Sequence, residues 1–300
     1  MPRIHVGAWI EDFFDWLEDT FEWLFDGLRT LFISLFDAVD WVFSTPPAWV
    51  VIVVVVLAAL LARGWTFAVG TAVGLTFIVS VRQWDNAVDS LSLVIVAAFL
   101  ATALALPLGV WAARNSTVSA IVKPLMDFLQ TLPAFVYLIP AIALFRVGVA
   151  PGIIATIIFS MAPGVRLTEL GIRGVDKEVV EAGEAFGATD GRILRQIQIP
   201  LAMPSIMAGI NQIIMLSLSM VVIAGFVGAG GLGGDVVMAI SALNVSLGFE
   251  AGISVVVLAI LLDRFTASFG QGKGLYAALA QRGKRRRAQA QQEALASSTA

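Results

Sequence analysis

The residues best equipped for chemistry crowd between Glu178 and Pro200. Glu178, Glu181, Glu184 and Asp190 share that stretch with Arg192 and Arg195, in a chain that is 58% hydrophobic and only 14% charged. The mixture suits a charged recognition surface better than a reaction centre. His5 is the single histidine and there is no cysteine, so a histidine triad, a histidine metal cluster and a thiolate metal site are all excluded on inventory. No G-x-x-x-x-G-K-[ST] run occurs, because Gly272-Lys273 and Gly283-Lys284 both fail at the next residue. The chain is therefore expected to bind no metal or cofactor of its own and to be no enzyme. Gly228, Gly230 and Gly233 match G-x-G-x-x-G, but they follow an apolar helix rather than a strand and no ribose-binding acid follows. A hinge or a close helix contact is the better reading there, with Gly230 and Gly231 at its centre.

The elements that must hold this polar stretch follow from its neighbours. Ala182 to Phe186 favours helix, Gly187 can stop it, and a second short helix is expected from Thr189 or Asp190 to Ile199, ending before Pro200. Such a helix–glycine–helix elbow, with apolar segments on both sides, reads as a docking surface lying on a membrane face. The composition sets the class: an all-α, polytopic membrane protein. Seven spans are expected, at 48–62, 65–81, 91–113, 125–145, 151–170, 206–227 and 251–264 with its flanks. The first two are short and form a hairpin. Ahead of them, residues 1–45 hold nine acids against Arg3 and Arg29. Their three- and four-residue spacing, interleaved with Trp9, Phe13, Leu17 and Phe32, predicts an acidic amphipathic helix in contact with membrane lipid.

Charge asymmetry orients the chain. Arg114 and Lys123 share one loop, Arg166, Arg173, Lys177, Arg192 and Arg195 surround the elbow, and Lys/Arg residues crowd the C-terminus. Alternating spans place all of these on one side, which the positive-inside rule makes cytoplasmic. The N-terminus is then outside and the C-terminus inside. The segments expected are an interfacial helix over 1–45, a hairpin over 46–86, a membrane-spanning core over 87–268 with its polar loop at 178–200, and a basic disordered tail over 269–300.

Within the spans, Pro133, Phe135, Tyr137 and Pro140 of TLPAFVYLIP, and Asn211 further on, either line a pathway or serve kinking and interhelical bonding. Asp127, Glu169, Glu250, Asp263 and Arg264 all fall near span ends. A proton-coupled carrier would need ionisable groups at depth, so a gradient-driven carrier is disfavoured. A membrane scaffold has only the acidic helix in its favour.

The polar loop resembles that of ABC importer permeases, whose pattern is E-A-A, three residues, G, nine residues, I-x-L-P. Glu181, Ala182, Gly187, Ile197 and Pro200 fall in register, while Gly183 replaces Ala and Ile199 replaces Leu. DFLQTLPAFVYLIP (127–140), PLAMPSIMAGINQ (200–212), LSLSMVVIAGFVGAGGLGG (216–234) and LAILLDR (258–264) resemble the permease of glycine betaine/proline betaine importers. The resemblance implies a type I (MetI-like) permease in a prokaryotic inner membrane, working as a homodimer. It implies a separate ABC ATPase subunit carrying ATP and Mg, coupled through Glu181, Ala182, Gly183, Gly187, Ile197, Ile199 and Pro200. It further implies an extracytoplasmic substrate-binding protein and no nucleic-acid partner. The cargo it implies is a compatible solute of the betaine type, with choline, carnitine or an amino acid as alternatives.

Overall fold

The computed structural model describes residues 6–271. The basic tail expected over 269–300 lies, beyond Gln271, outside the described residues. Among those described, every regular element is helical.

Helix α1 (Val6–Ser44) is broken once, at Phe21. Pro46 and Pro47 end it, and α2 (Ala48–Arg63) leaves at 93° to it. Helix α3 (Trp65–Ser80) folds back on α2 through Gly64, whose φ of 89° suits a residue without Cβ. Then follow α4 (Trp84–Arg114), α5 (Ser116–Thr131), a 3₁₀ turn (Ala134–Tyr137) and α6 (Leu138–Phe145). Helix α7 (Val149–Arg173) precedes the elbow, which consists of α8 (Lys177–Ala185), α9 (Asp190–Ile193) and a π-helical turn (Leu194–Gln198). Helices α10 (Ile199–Gly225), α11 (Gly231–Ser241) and α12 (Val245–Gln271) complete the chain.

The core is a bundle in which α7 is the centre. It packs along both α4 and α10, and none of its residues from Ala150 to Glu169 is exposed. Small residues on α4 (Ala97, Ala101, Ala105, Gly109, Ala112) let the backbones approach. Such contacts suit a bundle in lipid, where van der Waals packing rather than water exclusion holds helices together.

Two expectations need correction. The segment 125–145 is not one continuous helix: α5 and the 3₁₀/α6 unit meet at 107°. Pro133 has no N–H to donate and forces Leu132 into an extended conformation (φ −70°, ψ 136°), so the helix cannot run through. The count of seven spans is also not matched one for one. Four helices are long and apolar enough to cross a membrane (α4, α7, the joined α9–α10, and α12), or up to six if each bent pair is one span. At 16 residues each, α2 and α3 reach only about 24 Å, short of a hydrocarbon core of about 30 Å.

Helix α1 is also more than a lipid-facing helix. Phe25 and Phe32 flank the Phe145 ring at centroid distances of 5.6 and 5.9 Å, and Asp26 meets Arg146 at 3.7 Å. Further along, Asp40 lies against Asp89 in the first turns of α4. These contacts fall at the α4 start and the α6 end, the extremity of the bundle away from the elbow. The helix straps that end. Its first turns keep Trp9, Phe13, Trp16 and Trp23 exposed.

Candidate functional site

The elbow is built from local signals. Asp176 caps α8, its carboxylate accepting from the Glu178 N–H at 3.0 Å. Gly187 ends the helix in a left-handed conformation, φ 75°. The Ala188 N–H donates to the Gly183 carbonyl (3.1 Å) and the Gly187 N–H to the Glu184 carbonyl (2.8 Å). This paired pattern is a Schellman turn, and it satisfies carbonyls that the helix end leaves free. The chain re-enters helix at once, with Arg192 and Ile193 donating to the Thr189 carbonyl.

The second arm corrects the sequence reading. It does not stop before Pro200. From Asp190 to Gly225 it forms one helical run of 36 residues. Proline is tolerated there because the π-turn widens the ladder: the Ile199 N–H reaches back five residues to the Leu194 carbonyl. That shift re-registers the bonds where Pro200 has no N–H to give.

The two arms touch through Gly183. It is buried, and a Cβ there would stand 2.7 Å from Cδ1 of Ile197 and 3.5 Å from Cγ1 of Ile193. The departure from alanine in the motif is thus a close-contact point between α8 and the π-turn, in addition to being a weak helix former. Glu181, Ala182 and Pro200 are exposed, while Ile197 and Ile199 are half-buried in the angle. The matched positions therefore divide into an outward set and a set that holds the elbow's shape.

One residue that the motif does not single out stands at the apex. Phe186 is 93% exposed, immediately before Gly187. Its sequence neighbours are helix formers, so periodicity gave no reason to single it out. Along the chain this bare aromatic ring falls between the exposed Glu181 and Glu184 and the exposed Arg192 and Arg195, a composition suited to an interface.

One ion pair braces the elbow against the bundle, and polar contacts tie α4, α5 and α7 behind it. Arg114 at the end of α4 meets Asp190 at 3.5 Å. Arg173 donates to the Ala112 carbonyl at 2.8 Å. Behind these, Glu169 is buried at 3% exposure and held three ways: by Lys123 (3.2 Å), by Arg173 (3.1 Å) and by the Ser119 hydroxyl, which donates at 2.7 Å. Arg166 pairs with Asp127 alongside. Lys123, Asp127, Arg166, Glu169 and Arg173 line a cavity of 320 Å³ that joins α5 to α7.

The other candidate positions scatter. Tyr137 is buried among Leu138, Ala141, Ala155, Met220 and Val227, and its hydroxyl donates to the Leu129 carbonyl, so its side chain packs inside the protein. Asn211 bonds α12 instead, through Thr266 (2.5 Å) and Asp263 (3.4 Å). Phe135 and Pro133 are exposed and Pro140 is half-buried. Gly230 and Gly231 have φ of 74° and 61° and turn the chain into α11, whose Leu232 N–H bonds Ser90 of α4 at 2.8 Å. No group of three or more metal-ligating side chains exists among the described residues.

With this geometry in hand, similarity to known proteins can be weighed. The chain is 42% identical over 275 residues to the glycine betaine/carnitine transport permease protein GbuB of Listeria monocytogenes, covering 90% of this chain and 97% of that one. It is 48% identical over 199 residues to the glycine betaine transport system permease protein OpuAB of Bacillus subtilis (66% and 71% covered). It is 40% identical over 268 residues to the glycine betaine/proline betaine permease protein ProW of Escherichia coli (89% and 76% covered). In fold, it matches a chain of the MetNI methionine ABC transporter in an inward-facing conformation, at a TM-score of 0.55 and 21% identity over 62% of this chain and 93% of that one. The all-helical MetI-like architecture is therefore shared. Residues 105–273, which contain α5 to α12 and the whole elbow, match the binding-protein-dependent transport system inner membrane component family, and the chain belongs to that family.

Proposed function

We propose that this chain is the membrane permease of an ATP-driven importer of betaine-type compatible solutes, and that it takes its power from a separate ATPase subunit docked on the elbow. The observation that carries the docking is the elbow itself: a capped helix, a Schellman turn and an exposed Phe186 among exposed charges, braced to α4 by Arg114–Asp190. Glu181, Ala182 and Phe186 meet the partner, while Gly183, Gly187, Ile197, Ile199 and Pro200 hold the angle. ATP and Mg belong to that partner, and a soluble receptor delivers the solute on the opposite face. The receptor and ATPase each bias the permease only by binding its two access states unequally. Two copies of the chain form the path, with the elbow in the cytoplasm, the N-terminus outside and the C-terminus inside, as the distribution of lysine and arginine favours.

The relatives' names support a quaternary ammonium solute: glycine betaine in each of the three, joined by carnitine or proline betaine in two. Carnitine is the second reading, since the relative covered over 97% of its length carries it in its name. Uptake of labelled glycine betaine, carnitine and choline into cells expressing the whole operon, at low and high osmolarity, tests the solute. Uptake of none of the three would reject it. Loss of ATPase co-purification in Phe186→Asp, with the protein still in the membrane, tests the docking.

A further inference from the structure

The long helices differ in what they leave uncovered. Past Trp49, the exposed side chains on α2 are Val53, Val54, Leu57, Ala58 and Leu61; on the middle of α12 they are Phe249, Ile253, Val256 and Ile260. All are apolar, as a surface against lipid requires. Helix α10 breaks the rule. Its exposed face carries Gln212, Met215, Ser219 and Phe226, which lie within about 60° of one another at 100° per residue. Gln212 sits at the middle of the helix, and its amide makes no hydrogen bond among the described residues. An unpaired primary amide facing hydrocarbon would be unfavourable by several kcal/mol, so this face meets water, solute or the second copy of the chain rather than lipid tails. At the end remote from the elbow, Phe226 meets Phe135 edge to face, with centroids 5.2 Å apart, and both rings are about half exposed.

We propose that this face of α10, completed by Phe135, is the wall of the solute path, and that the Phe135/Phe226 pair receives the solute's quaternary ammonium group. The inference rests on the importer function proposed above. A betaine carries a trimethylammonium and a carboxylate. Aromatic faces attract the first through their quadrupole, and about 21 Å further along the helix the Gln212 amide can donate to the second, as a separate stop. No ionisable side chain interrupts Gln212 to Phe226 on this face. That absence of fixed charge suits a path, where each stop must bind weakly enough to release.

The chain has no cysteine, so single cysteines can be read directly. Gln212→Cys, Ser219→Cys and, on the apolar face of α2, Val54→Cys are each assembled with the ATPase and receptor. They are treated with the trimethylammonium-ethyl methanethiosulfonate reagent, itself a quaternary ammonium. Thiolate forms only where water reaches, so Gln212→Cys and Ser219→Cys should react about tenfold faster than Val54→Cys and lose transport when modified. Equal rates at all three overturn the wall, whatever the solute. Phe135→Leu and Phe226→Leu should each lower betaine uptake about fivefold with ATPase co-purification intact, and Phe226→Tyr should restore it. Leu variants that transport like the unmodified protein overturn the aromatic role. If the unmodified complex imports no betaine-type solute while the fast labelling persists, the solute reading and the ammonium role fall together.

Discussion

Phe186 and Gly187 are adjacent, and they fail in different ways when replaced. Phe186 touches nothing in its own chain that would miss it, so Phe186→Ala should leave the detergent-solubilised protein as stable as before. Its effect should be on the partner: truncating an aromatic anchor typically removes about 2 kcal/mol or more of binding, roughly thirtyfold in affinity. Titration of the ATPase subunit against the permease in detergent measures both. An unchanged affinity would show that Phe186 is no anchor. Gly187→Val acts on the permease itself, because φ of 75° places a branched side chain in a region costing about 1–2 kcal/mol or more. It should disorder the turn and lower both coupling and transport. The glycine was legible from the sequence, since a helix former run ending at Gly is a stop signal with a mechanism. The phenylalanine was not, because an apolar residue in a short helix reads equally as core or as surface until neighbours are known. Tyr137 shows the opposite case: a residue with a polar handle looks suited to a path, but a single backbone carbonyl, that of Leu129, is enough to take it inside.

Between elements, two junctions make separable predictions. Where α8 meets the π-turn, Gly183→Ala adds a methyl 2.7 Å from Cδ1 of Ile197. Gain in helix propensity of about 1 kcal/mol and loss from the clash oppose each other. Adding Ile197→Val removes the crowded methyl, so the double variant should couple ATPase to transport better than Gly183→Ala alone. Coupled ATPase in proteoliposomes measures it, and additive effects of the two changes would argue against the contact. Where α5 meets α7, Glu169 is held by two cations that are themselves about half exposed. Losing either Lys123 or Arg173 leaves one counter-charge. Losing both strands a buried carboxylate, so the double alanine variant should lower the thermal midpoint by more than the sum of the singles. The helices themselves were visible in the sequence, as hydropathy and caps. Their joints were less so: Pro133 announces a break without its 107° direction, and Pro200 looks like a stop until the preceding turn is seen to have widened.

Across the whole molecule, one end carries the elbow and the other is bound by α1. Phe32 is nearly buried against Phe145, whereas the Asp26–Arg146 pair is half exposed on both sides. Phe32→Ala should therefore destabilise the assembly by about 3 kcal/mol, and Asp26→Asn by less than about 1 kcal/mol. Thermal unfolding of the purified permease separates them, and equal losses would mean that charge rather than packing holds the strap. An N-terminal tag should be cut by protease outside spheroplasts while a C-terminal tag survives; the reverse pattern would invert the topology argued from charge. Between the two ends runs the unbroken 36-residue helix from Asp190 to Gly225, about 54 Å long. In the coupling proposed above it acts as a drive shaft, with the π-turn at Leu194–Gln198 near its driven end. Because an i→i+5 turn takes up one residue more than an i→i+4 turn, deleting one residue there should leave the two ends nearly in phase, whereas deleting one from the α-helical stretch 201–210 should rotate the Gln212 face about 100° relative to the apex ring. Such a protein could still dock and still open, but the stroke delivered at one end would be aimed at the wrong wall of the other.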